Sequence, residues 1–172
     1  MRYRRHDGEY RWHAFRALPR WGANGQIEAW YGLSIDITER RRIEAALQES
    51  ERRFRRLVES NMFGVAFGDF IGNFHYVNDY FLKMVDYTRE EIETGQLRWN
   101  DITPTEFLPL DEKAALELRT QGVATPFEKE YLRKDGTRVP ILIGAALLQA
   151  PYDQQQEIIA FYLDLTERKQ AE

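Results

Sequence analysis

The residues best equipped for chemistry are carboxylates. Glu128 and Glu130 stand two apart in a segment that alternates like a strand, so they share one face, with Asp101 and Asp111 nearby in the sequence. Paired carboxylates are the equipment of general acid–base catalysis and of glycoside hydrolysis. The plainer reading is that alternate charged residues on a strand form its solvated face. No Ser-His-Asp set, Gly-rich phosphate loop or metal cluster accompanies them. His75 stands alone on a predicted strand, while His6 and His13 have no metal-ligand partner at useful spacing. The absence of cysteine removes disulfides, thiolate–zinc sites and thiol nucleophiles. The pattern favours binding and relay over catalysis, and no catalytic or metal residue is assigned; a small α+β enzyme using Glu128 and Glu130 is the distant alternative.

Composition narrows the class further. With 43% hydrophobic and 13% aromatic residues, a chain of 172 residues can build a real core. A formal charge of −4 argues against a nucleic-acid binder that works through bulk charge. The longest apolar run, Val139 to Ala150, is too short to cross a bilayer, and the Arg-rich start lacks the apolar centre of a signal peptide. The expectation is a soluble, cytoplasmic protein without membrane contact.

The elements that would position these residues can be read in order. Asp7-Gly8 and Asn24-Gly25 mark turns between three strands that end near Ile35. Asp36 and Glu39, three apart, suggest a capping box opening a helix from Glu39 to Ser60, about 33 Å long. Ile43, Leu47, Ser50, Phe54 and Leu57 follow a 4-3-4-3 spacing along it. Charged residues fill its other faces, with pairs such as Arg40–Glu44 at helical spacing. This seam predicts a parallel homodimer through Ile43, Leu47, Phe54 and Leu57.

A second pattern opens after Asn61. Strands at 63–70 and 74–77 flank Gly72-Asn73, and Asn78 or Asp79 caps a helix through Val85. Thr88 to Glu91 is a capping box for a short helix ending at Gly95. An irregular stretch over 97–107 precedes a helix from Leu110 to Thr120 that stops at Gly122. Three strands follow: 126–132, 139–149 with both faces covered, and 158–163, the last after a Gln-rich loop at 151–156. Two strands, a block of helices and three strands make an α+β fold with an antiparallel sheet.

An internal repeat organises the whole. Under a shift of 128 positions, Tyr3, Arg5, Asp7 and Gly8 fall on Tyr131, Arg133, Asp135 and Gly136. The same shift carries Asp36, Thr38, Glu39 and Arg40 onto Asp164, Thr166, Glu167 and Arg168. Residues 1–37 therefore read as the last three strands of a unit whose first half lies outside the chain, as if cut from something longer.

With strand–hairpin–helices–three strands, the Lys134-to-Pro140 turn and the closing Asp-(Ile/Leu)-Thr-Glu-Arg, the chain resembles the PAS sensory family with its C-terminal PAC portion. The resemblance covers one complete unit at 61–168 and a partial one at 1–37, joined by a linker helix at 38–60, with a further helix starting at 169–172. It implies a five-stranded antiparallel sheet with a helical cap around a small pocket. It also implies tandem modules of a two-component signalling protein, upstream of a histidine kinase, a cyclic-dinucleotide enzyme or a similar output. In that family the Asp-x-Thr phrase ties the last strand to the outgoing helix, a role carried here to Asp36, Thr38, Asp164 and Thr166. Pocket candidates are Phe67, Trp99, Phe127, Tyr131, Ile143 and Phe161. Haem is disfavoured because residues 79–122 contain no histidine, and cysteinyl-flavin chemistry because there is no cysteine. A non-covalent small molecule, flavin included, stays open, and so does a ligand-free dimerisation and relay role.

Overall fold

The structure, a computed structural model, describes residues 1–148 and 156–171. The chain divides into two units, Met1–Arg55 and Arg56–Glu172.

In the first unit, β1 (Arg2–Arg4), β2 (Tyr10–Trp21) and β3 (Ile27–Asp36) form an antiparallel sheet in that order. Asp7 Oδ1 accepts the Glu9 N–H at 2.9 Å and Gly8 takes a φ of 87°, the left-handed conformation that glycine adopts without a Cβ penalty. Only the glycine is left-handed, so the link is a longer hairpin loop than the two-residue turn that Asp-Gly suggests. Helix α1 (Thr38–Glu59) follows. The predicted capping box does not form at its start. Asp36 instead accepts the N–H of Thr38, two residues on, at 2.9 Å, and Glu39 lies 3.9 Å from Arg42. The Arg40–Glu44 pair is made at 2.8 Å.

The second unit contains β4 (Gly64–Gly68), β5 (Phe74–Val77), α2 (Asp79–Val85), α3 (Arg89–Glu93), a 3₁₀ turn (Thr105–Phe107) and α4 (Leu108–Gln121). It continues with β6 (Val123–Leu132), β7 (Arg138–Leu147), β8 (Ile158–Asp164) and α5 (Thr166–Gln170). The sheet is antiparallel, in the order β5-β4-β8-β7-β6. The Thr88–Glu91 capping box closes as predicted. Helix α4 begins before Leu110, since Pro109 in its first turn lacks an N–H that would have been unpaired there. Strand β6 begins before Pro126, and a register shift between Ala124 and Phe127 absorbs the proline. In β7, Val139, Ile141 and Ile143 are buried while Pro140, Leu142 and Gly144 are half-buried. Gln149, where that strand was expected to end, and the loop at 151–155 lie outside the described residues.

The main core joins Phe81, Met84, Val85, Ile92 and Ile102 of the helical segment to Tyr131, Ile141 and Tyr162 of the sheet. Phe81 sits at its centre, with ring centroids 4.8 Å from Tyr162 and 6.3 Å from Tyr131. On the opposite face of the sheet Val58, Val65 and Ile159 form a smaller cluster.

The internal repeat persists in the hydrogen-bond register. His13↔Asp36 in β2–β3 matches Ile141↔Asp164 in β7–β8, and Pro19↔Trp30 matches Leu147↔Ile158. Tyr3↔Arg11 in β1–β2 likewise matches Tyr131↔Val139 in β6–β7.

Candidate functional site

A pocket of about 80 Å3 lies on the helical side of the sheet, and Trp99, Phe127, Tyr131 and Ile143 all line it. Strand alternation turns Phe127, Lys129 and Tyr131 to one face, while the Trp99 indole is held by its Nε1–H donating to the Asp69 carbonyl at 3.2 Å. Phe67 and Phe161, named as pocket candidates on aromatic character, stand on the other face. Phe67 packs in the Val65 cluster, and Phe161 is 40% exposed with its ring against Phe63. Their neighbours Ala66, Ala160 and Tyr162 take the inward positions.

The pocket also contains a charge. Lys129 is only 2% exposed, and its Nζ lies 2.7 and 2.8 Å from the two Asp111 oxygens and 3.2 Å from Thr103 Oγ1. The ammonium also sits 4.4 Å from the Tyr131 ring centroid and 5.9 Å from that of Trp99. Burial pulls the Lys129 pKa below the ordinary lysine value, against the opposing pull of Asp111. Burial pushes the Tyr131 and Tyr162 phenols upward, so both stay protonated as donors. Sequence reasoning placed Lys129 beside Phe127 and Tyr131 but did not select it. A lysine between two aromatic residues on an inward face was the available signal.

The helix anchors are equally specific. The Thr166 N–H donates to Asp164 Oδ1 at 2.7 Å, and the Leu165 N–H donates to the Pro140 carbonyl at 2.9 Å. At the matching point of the first unit the Ile37 N–H donates to the Trp12 carbonyl at 2.8 Å, and the Trp12 N–H donates to Thr38 Oγ1 at 2.8 Å. Asn78, which the sequence marked only as a helix cap, does more. Its Oδ1 accepts from Val65 N–H at 2.9 Å and Phe81 N–H at 3.1 Å, and its Nδ2 donates to the Val58 and Phe63 carbonyls at 2.8 and 2.9 Å. All four hydrogen-bonding positions of a buried amide are thus used.

Residues 60–167 match the sequence profile of a family described as PAS domain. The chain belongs to the PAS domain family. It is 35% identical over 116 residues to the hybrid signal transduction protein dokA of Dictyostelium discoideum, covering 67% of this chain and 7% of that protein. It is 27% identical over 128 residues to the sensor histidine kinase TmoS of Ectopseudomonas mendocina, covering 74% of this chain and 13% of that protein. The chain thus spans a small part of the curated relatives it matches. Among solved structures, the PAS domain of an HTR-like protein from Haloarcula marismortui superposes with a TM-score of 0.54 at 21% identity, over 72% of this chain and 98% of that one. A PAS domain from Colwellia psychrerythraea gives 0.59 at 16% identity, over 69% and 98%.

In this PAS domain the carboxylate pair points away from the pocket. Glu128 meets Lys169 Nζ at 3.0 Å and Glu130 meets Arg138 Nη1 at 3.0 Å, and both stand on the outer side of β6, where alternate positions carry charge. Asp101 accepts the Arg98 N–H at 2.9 Å within its own loop. His75 lies at the surface between Asp69 at 3.4 Å and Glu157 at 3.3 Å. His13 bonds Ser34 Oγ at 3.0 Å, and His6 is exposed. Among the described residues no group of three or more His, Cys, Asp or Glu side chains could hold a metal ion, and no helix is long and apolar enough to cross a membrane.

Proposed function

We propose that this chain is a sensory and relay segment of a longer cytoplasmic signal-transduction protein. Its PAS domain takes a small molecule into the pocket and passes the change through α1 and α5 to an output domain outside the chain. The observation that carries this reading is the pocket itself: an apolar cavity whose lining includes a buried ion pair that joins α4 to β6. A shift there would reach α5 through β7 and β8, which carry the Asp164 and Thr166 anchor.

Three further parts belong to the same proposal. Residues 1–37 are the closing strands of a second PAS unit, supported by the repeated register. Residues 38–60 are a signalling helix that pairs with a second copy, because Ile43, Leu47, Phe54 and Leu57 are exposed along one seam. The output is a histidine kinase or a related enzyme, supported by the names of the relatives.

The second reading, a ligand-free relay, draws on the Asn78 clamp, which couples the end of α1 to the cap without any ligand. Native mass spectrometry with an absorbance spectrum on freshly purified protein separates the two. A bound small molecule favours the sensor, and a clean ligand-free dimer moves the function to mechanical relay.

A further inference from the structure

The pocket's chemistry is one-sided. Ala66, Ala160 and Ala145 lie side by side across β4, β8 and β7, and with Leu118 of α4 they give the pocket a wall of small or aliphatic groups that leaves room for a short alkyl chain. Lys129, Tyr131 and Tyr162, whose ammonium and hydroxyl groups are hydrogen-bond donors, also line the pocket, with the two phenols hydrogen-bonded to each other. Among the described residues, the acceptor that meets this ammonium with charge is Asp111, on the first turn of α4, where its side chain is still 10% exposed.

A buried ion pair is a poor source of stability, because desolvating two charges offsets their attraction, and apolar side chains of similar volume do as well or better. Asp111 and Lys129 are therefore better explained as a latch than as a brace. We propose, as a deepening of the sensory reading above, that the pocket takes a short-chain monocarboxylate whose carboxylate replaces Asp111 on Lys129.

The exchange keeps the lysine's charge matched. The ligand carboxylate accepts from Nζ and from the one phenol proton that the Tyr131–Tyr162 hydrogen bond leaves free, its alkyl tail lies along the alanine wall, and Asp111 swings out toward water. A volume of about 80 Å3 suits a molecule of about four to six non-hydrogen atoms, the size of propionate or butyrate. Once Asp111 leaves, the first turn of α4 loses its ion pair to β6, while the Thr125 N–H to Glu117 bond at 2.6 Å and the packing of Ala114 and Leu118 on Ala124 hold the rest of the helix, so occupancy becomes a local shift of the helix start. A neutral alcohol or amide of the same size offers an acceptor but no charge, so Asp111 stays in place.

The test is a titration of the full 172-residue chain, followed by NMR chemical shifts and calorimetry, with butyrate and with butanamide. Butyrate is expected to saturate, to move amides in both α4 and β6, and to bind at least about tenfold tighter than butanamide, the value of one charge-assisted hydrogen bond. Lys129→Met is expected to erase that preference, and Asp111→Asn to tighten butyrate several-fold by weakening its competitor. Equal binding of acid and amide, or butyrate binding unchanged in Lys129→Met, overturns the carboxylate assignment while leaving a sensory pocket standing. No saturation by butyrate or propionate overturns the assignment as well, and the mass-spectrometric search for a bound ligand then judges the sensory reading separately. If Lys129→Met fails to fold, the acid-against-amide comparison on the wild-type chain decides alone.

Discussion

The Asn78 side chain donates to the Val58 carbonyl across 2.8 Å, binding the last turn of α1 to the residue that caps α2. Helix C-termini leave carbonyls without intrahelical partners, and here a buried amide supplies one of the missing donors. The same amide receives the N–H groups of Val65 and Phe81, so one side chain joins helix end, strand and cap.

Asn78→Ala should therefore lower stability by about 2–4 kcal/mol, since it strands buried backbone groups on three segments. Asn78→Asp should be at least as damaging, because it sets a carboxylate against two carbonyls. Urea unfolding measures both. A loss below about 1 kcal/mol for the alanine variant would mean that water or rearrangement satisfies those groups.

The Lys129–Asp111 pair makes an asymmetric prediction. Asp111→Ala leaves an ammonium buried without its counter-charge and should cost about 3–5 kcal/mol. Adding Lys129→Met to Asp111→Leu should bring stability back to within about 1 kcal/mol of wild type or above it. A double variant no better than Asp111→Ala alone would show that the pair is a structural brace.

The two exit phrases differ in the partner of the threonine hydroxyl. Trp12 donates its N–H to Thr38 Oγ1 at 2.8 Å, whereas Pro140, the matching residue, has no N–H, and Thr166 Oγ1 is buried without a partner. Thr38→Val should speed hydrogen exchange at the Trp12 amide about fivefold, the equivalent of about 1 kcal/mol. Thr166→Val should be neutral to within about 0.5 kcal/mol in the native chain and should cost about 1 kcal/mol in a Pro140→Ala background. Equal costs in the two backgrounds would remove proline as the cause.

The exposed seam of α1 predicts self-association. Leu47, 58% exposed near the middle of the helix, is the position to change. Light scattering should give a dimer for the chain and a monomer for Leu47→Glu. The same mass for both would sink the coiled-coil assignment.

Acid stability should depend on Asp69. Burial opposes its ionisation, but hydrogen bonds from the Asn73 side chain and from the backbone of Asn73, Ile71 and Gly72 hold its pKa below the ordinary carboxylate value. A depressed folded pKa contributes stability that is present above the unfolded value of about 3.9 and is lost as pH falls through the folded value. Asp69→Asn should therefore narrow the stability difference between pH 6 and pH 3, roughly the span of that titration, as read from urea midpoints. An unchanged difference would assign the acid sensitivity to other carboxylates.

Much of this protein is written locally. Asp-Gly turns, the Thr88–Glu91 capping box and the 4-3-4-3 seam of α1 depend on residues near one another in sequence, and the repeat across 128 positions is a comparison of two such local phrases, so the chain alone determined most strands and helices and their order. Two-residue periodicity also determined which strand residues travel together: Phe127, Lys129 and Tyr131 share a face, as do Phe161 and Leu163. It does not say which face turns inward. Packing of the helical segment chose that, burying Ala160 and Tyr162 and leaving Phe161 outside. Tertiary structure also decided the pairing of Lys129 with Asp111, 18 residues earlier on a different element, and of Asn78 with Val58, 20 residues before it. The fate of Thr166 depended on a proline across the sheet. Such contacts arise where distant segments meet, and no local pattern encodes the meeting; the buried groups there must find partners in whatever the fold brings beside them.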